Sequence, residues 1–66
     1  IMMYIAFTYE ENTHEQIYVC YGKTKRDAAG LFFTRTKGMK LPCWLCKSDE
    51  KGNPTDLLEL AENWMD

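Results

Sequence analysis

Tyr21-Gly22-Lys23-Thr24-Lys25-Arg26-Asp27-Ala28-Ala29-Gly30-Leu31-Phe32-Phe33, residues 21–33, decides the fold, because the period of the chain changes inside it. Before Gly22 apolar residues alternate with a period of two, and after Thr24 they recur at helical spacing. Thr24-Lys25-Arg26-Asp27 reads as a capping box, with Thr24 placed to accept from the free amides of the first turn and Asp27 in the position usually held by Glu or Gln. At 100° per residue Ala28, Ala29, Leu31, Phe32 and Thr36 share one arc, which predicts the face that packs on a sheet. Gly38 suits the first position beyond the helix, with Lys37 in its last turn. Gly30 inside the helix costs about 1 kcal/mol relative to Ala; it marks either a close approach of the backbone or an imperfect helix.

Upstream, Met3, Ile5 and Phe7 alternate with Tyr4, Ala6 and Thr8, and Ile17, Val19 and Tyr21 alternate with Tyr18 and Cys20. The polar stretch Glu10 to Glu15 separates the two runs, so they form a β-hairpin. Uniting the apolar faces places Ile5 opposite Val19 and Phe7 opposite Ile17, with Tyr4 opposite Cys20 and Ala6 opposite Tyr18. That register requires an odd-length loop centred near Asn12, since a two-residue turn at Asn12-Thr13 would set Phe7 against Tyr18 and mix the faces. The helix is then expected on the Ile/Phe/Val face. Downstream, Leu41-Pro42-Cys43-Trp44-Leu45-Cys46 reads as a short third strand, with Pro42 confining it to an edge or to a strand start. Asn53-Pro54 supplies an N-cap followed by proline, and Leu57, Leu58, Ala61, Trp64 and Met65 carry helical spacing to the C-terminal end. The expectation is one small α+β domain over residues 1–66, ordered ββαβα.

The chain has 66 residues, 45% hydrophobic and 27% charged, with net charge −2. A domain this small buries only about 60% of the surface its unfolded chain exposes, which favours dimerisation as a way to gain burial. A doubly wound nucleotide-binding domain or a barrel does not fit. No apolar run nears the ~20 residues of a membrane span, and the first residues lack the basic region of a signal peptide. Three cysteines, an odd number, suit a reducing compartment. A cytoplasmic protein without membrane attachment is expected. Charge falls in blocks: residues 1–22 hold three acids and no Lys or Arg, residues 23–47 seven bases and one acid, and residues 48–66 six acids and one base. Such blocks either complement each other internally or present a basic face to an anionic partner.

Chemistry-bearing motifs are few. Gly22-Lys23-Thr24 resembles the end of a phosphate-binding loop, but the glycine needed five residues earlier is Ile17. Lys23, Lys25 and Arg26 crowd the positive end of the helix dipole, beside free amides that suit an anion. Arg26, Gly30, Phe33 and Lys37 form a narrow stripe in which an aromatic ring stands between two cations, either a contact surface or the rim of the core. Arg35 falls among apolar positions and must either reach outward or pair. Cys43 and Cys46 have the spacing of a metal knuckle, but a strand would point them to different faces. His14 and Cys20 lie about 20 Å apart along an extended chain and cannot share one ion. No nucleophile, base and orienting group come together, so no catalytic residue, no enzyme activity and no cofactor are expected.

A hairpin followed by YGKTKRDAAGLFF (residues 21–33) and an acidic tail looks like the small accessory proteins of phages and mobile elements. The resemblance implies a regulator or inhibitor of a larger complex. The sequence reading is therefore a non-enzymatic protein-interaction module, with homodimerisation as a further expectation. Its candidate contacts are Lys23, Lys25, Arg26, Phe33, Lys37 and Lys40, or the hairpin edge with Tyr4 and Tyr18. Nucleic-acid binding by the basic 23–47 segment is the alternative, disfavoured by net acidity. A small zinc-stabilised module using Cys43 and Cys46 is a third reading.

Overall fold

A computed structural model describes residues 3–55 and 59–61. Strands β1 (Met3–Tyr9), β2 (Gln16–Gly22), β3 (Trp44–Ser48) and β4 (Glu59–Leu60) form an antiparallel sheet in the order β2-β1-β3-β4, and helix α1 (Lys25–Arg35) crosses from β2 to β3. The α+β class is as expected. Among the described residues no helix is long and apolar enough to cross a membrane.

The hairpin departs from the expected register in an instructive way. Ile5 pairs with Tyr21 and Ala6 with Cys20, whereas Thr8 pairs with Ile17 and Tyr9 with Gln16. The turn between Tyr9 and Gln16 is even in length, not odd, and its cause is Glu10. The Glu10 carboxylate accepts from the amides of Asn12 at 2.8 Å and Thr13 at 2.6 Å. The Glu10 amide in turn donates to Glu15 O at 2.8 Å, and the His14 amide to Glu10 O at 2.9 Å with His14 at φ 63°. An even turn would indeed mix the faces. The chain corrects this with a bulge: Tyr18 and Val19 together oppose Phe7, and Tyr18 takes φ 55°. Beyond the bulge the alternation is restored, so Tyr21 stands beside Ile5.

A third strand forms as expected but starts at Trp44, two residues past Pro42, and pairs Ile5 with Cys46 and Phe7 with Trp44. The expected helix from Pro54 is not what the described residues show. Pro54 bridges Ser48, the Thr55 amide donates to Lys47 O at 2.9 Å, Glu59 and Leu60 pair with Leu45 and Trp44, and the Ala61 amide donates to Cys43 O at 2.9 Å. The outer edge of β3 presents carbonyls that an extended neighbour satisfies and a helix would not. Leu57, Leu58, Trp64 and Met65, which carried the helical expectation, lie outside the described residues.

Helix α1 packs on the face opposite to the one expected. Ala6, Cys20, Leu45, Cys43 and Ala61 form one core with Ala28, Ala29 and Phe32 of the helix, while Ile5, Phe7 and Cys46 form a second with Val19 and Trp44. The helix-side core mixes small residues, Ala6, Cys20, Ala28 and Ala29, with the larger Phe32, Leu45, Tyr4 and Tyr18. The backbones come close at Gly22, where a Cβ would lie 2.5 Å from the Ala28 amide nitrogen. Leu31, counted in the buried arc, is instead 52% exposed.

The helix ends follow from side chains. Thr24 Oγ1 accepts from the Asp27 amide at 3.0 Å, as the capping box predicts. At the other end the buried Thr36 hydroxyl donates to Phe32 O at 2.9 Å, and Gly38 (φ 84°) stands two residues past the C-cap Thr36 rather than one.

Candidate protein-contact surface

The basic residues singled out from the sequence do not form one patch. Lys23, Lys25 and Arg26 sit at the start of α1, whereas Lys37 and Lys40 follow its end, flanking the exposed Met39. Arg26 and Lys37 are thus separated by about 16 Å along the helix direction. Lys25 Nζ meets Glu59 Oε1 at 2.8 Å and ties α1 to β4, so one link of the internal charge complementarity is present. Phe33 is half-buried, its ring edge-on to Phe32 at 5.5 Å, and belongs to the rim of the helix-side core. Tyr4 and Tyr18 are half-buried against that same core, under the helix rather than on an open sheet face.

Arg35 resolves its awkward position by pairing. Its Nη1 donates to Val19 O at 3.2 Å and lies 3.6 Å from Cys20 Sγ, and its guanidinium stands 6.0 Å from the Tyr18 ring centre. All three partners belong to the bulged stretch of β2.

The surface that sequence reasoning did not identify is a shallow open groove of about 480 Å³ between the end of β2 and the outer face of α1. Tyr21, Lys23, Arg26, Asp27, Gly30 and Leu31 line it. Its depth comes from Gly30, where an added Cβ would meet nothing within 4 Å. Leu31, 52% exposed, supplies the apolar wall, while Tyr21 borders the groove at the end of β2, with its ring on the Ile5 face of the sheet near Gly52. Lys23 and Arg26 supply cations, and Asp27 a single acid. The Thr34 hydroxyl, also in the groove, donates to Gly30 O at 2.8 Å. The signal in the sequence was the costly glycine in mid-helix: the structure shows it facing open space, not a close neighbour.

Cys43 and Cys46 project to opposite faces, Cys43 into the helix-side core and Cys46 into the other. One ion cannot take both from a single strand. Burial, reinforced by the nearby Cys20 thiol, pushes the Cys43 thiol up to about 12, so it stays protonated and behaves as a small apolar side chain. Among the described residues no three His, Cys, Asp or Glu side chains converge as a metal site. The acidic turns are self-contained. Amides of Lys51 and Asn53 both donate to Asp49 Oδ1 at 2.9 Å. The Asn53 amide is the main reason the Asp49 carboxyl is held below its ordinary value, and the Thr13 amide does the same for Glu10.

Comparison with known protein families, characterised proteins and solved structures finds no match.

Proposed function

We propose that this chain is a small non-enzymatic interaction module that docks an acidic, apolar-anchored segment of a larger protein along the outer face of α1. The observation that carries this reading is the groove over Gly30, with Leu31 as its apolar wall and Lys23 and Arg26 at its rim. An exposed leucine beside a depression that a partner side chain can fill is an arrangement from which binding energy is drawn. Each Å² of apolar surface covered contributes roughly 25 cal/mol. The cations speed encounter with an acidic partner and orient it. A role as regulator or inhibitor of a larger complex is consistent with such a module.

The spacing of the bases favours protein over nucleic acid. A phosphate chain needs a continuous basic track. Here Lys25 is joined to Glu59, Asp27 interrupts the groove, and Lys37 and Lys40 lie beyond the far end of the helix. Selection of a random peptide library against the wild type, Gly30→Gln and Lys23→Glu tests the reading. Acidic peptides carrying an aromatic or aliphatic residue should be enriched on the wild type and lost on both variants. Equal enrichment on Gly30→Gln would overturn the reading. So would tighter binding of a DNA or RNA oligonucleotide with a steep salt dependence.

A further inference from the structure

We propose that Arg35 holds the free edge of β2 closed against a second copy of this chain. Strand β2 is outermost in the sheet, and among the described residues only β1 pairs with it. Its sequence, Gln16-Ile17-Tyr18-Val19-Cys20-Tyr21-Gly22, is rich in β-branched and aromatic residues and lacks the Lys, Glu or Pro that usually deter pairing at an exposed edge. Such a strand offers itself to a copy related by a two-fold axis, because in an antiparallel β2–β2 contact each edge meets its own sequence.

Two devices act where those deterrents are missing. The first is the bulge, which takes Tyr18 and Val19 out of the ladder with β1 and bends the strand at its middle. The second is Arg35, reaching across from the last turn of α1. Its Nη1 takes the Val19 carbonyl at 3.2 Å, and its guanidinium lies against the Tyr18 ring and the Cys20 sulfur. The guanidinium, bonded to the Val19 carbonyl, must be displaced before a second strand can lie along this stretch of edge, and its contact with the Tyr18 ring holds the bulge in its bent form. The same contacts account for a cation placed among the apolar positions of α1. Removing the guanidinium frees the Val19 carbonyl and lets β2 straighten into a pairing surface for its copy.

The test is the solution mass of the wild type, Arg35→Met and Arg35→Met/Tyr21→Lys at rising protein concentration, by light scattering after size exclusion. Methionine keeps an apolar stem over Tyr18, and circular dichroism confirms that each variant is folded. Arg35→Met should move from the mass of one chain toward about twice that mass as concentration rises, while the wild type shows less association at every concentration. The added lysine on β2 should return the variant to one chain. A folded Arg35→Met that associates no more than the wild type overturns the proposal. So does association that Tyr21→Lys leaves intact, because the contact then lies elsewhere. Should Arg35→Met not fold, Arg35→Lys decides: it keeps the charge but not the forked contact, and must associate more than the wild type.

Discussion

Two glycine-to-alanine substitutions should move stability in opposite directions. At Gly22 the new Cβ would sit 2.5 Å from the Ala28 amide nitrogen and 2.9 Å from the Asp27 carbonyl carbon, whereas ordinary contact begins at 3.4 Å. The neighbour is backbone, and its amide is bonded to Thr24 O at 3.1 Å, so no side chain can swing aside. The first turn of α1 must retreat by roughly 1 Å, an overpacking cost near the top of the ~1–3 kcal/mol range. Ala also restricts the unfolded chain, which returns about 0.5–1 kcal/mol. The net loss is about 2 kcal/mol, against about 3–10 kcal/mol of total stability for a chain of this length. At roughly 4–8 °C per kcal/mol, Gly22→Ala should melt some 8–16 °C below the wild type. Gly30, by contrast, is helical and open, so Gly30→Ala should gain about 0.5–1 kcal/mol and melt about 2–8 °C higher. Thermal unfolding followed by far-ultraviolet circular dichroism reads both. A Gly22→Ala protein that melts with the wild type would refute the close docking of α1 described above, and a Gly30→Ala protein that melts below it would refute the open space over Gly30.

Cys43, raised to about 12 by burial and the Cys20 thiol, should resist iodoacetamide at pH 8 in the folded protein and be alkylated at once in denaturant; rapid native labelling, located by peptide mass mapping, would place it on the surface instead. The acid limb of stability should be set in part by the two carboxylates that hold the turns. Glu10 and Asp49 are lowered from ordinary values of 4.5 and 3.8. Each therefore contributes stability above its unfolded value, which is lost as pH falls through its folded value. Melting temperatures measured from pH 6 down to pH 2 should fall below about pH 4, and less steeply in Glu10→Gln/Asp49→Asn; an unchanged slope in that variant would remove these turns from the account.

Local signals were legible where one residue sets one geometry. Thr24 marks the start of α1, the run after Pro42 contains β3, which begins two residues on at Trp44, and the alternation of residues 2–9 and 16–22 gives the hairpin. Longer-range choices were not. The face that α1 covers is a tertiary choice: both faces of the hairpin carry large hydrophobes, Tyr4 and Tyr18 on one and Ile5 and Phe7 on the other, so alternation alone does not select between them. The hairpin register turned on Glu10 folding back on its own turn and on Tyr18 absorbing the extra residue in a left-handed conformation, which a non-glycine residue adopts only when its surroundings hold it there. The end of the chain read as helix because apolar spacing near Pro54 is compatible with one. The unpaired edge of β3, invisible in local sequence, draws Pro54, Thr55 and Glu59–Ala61 into extended partners instead.

The candidate surface was half legible. Lys23 and Arg26 were singled out by charge, and Gly30 by its cost in a helix, but the grouping with Phe33 and Lys37 followed the helix alone. The tertiary contacts of α1 divide that stripe: Phe33 turns into the core rim, while Gly30 opens toward Leu31 and the end of β2. Arg35, a cation among apolar helix positions, needs a partner, and β2 provides it.

Amide chemical-shift mapping tests the central claim most directly. An acidic peptide with an apolar anchor, taken from the library selection, would be titrated into isotope-labelled protein. The account predicts that the largest shifts fall on Tyr21, Lys23, Gly30, Leu31 and Thr34, weakening as salt is raised. Shifts concentrated instead on the other sheet face, around Val19 and Trp44, would contradict it.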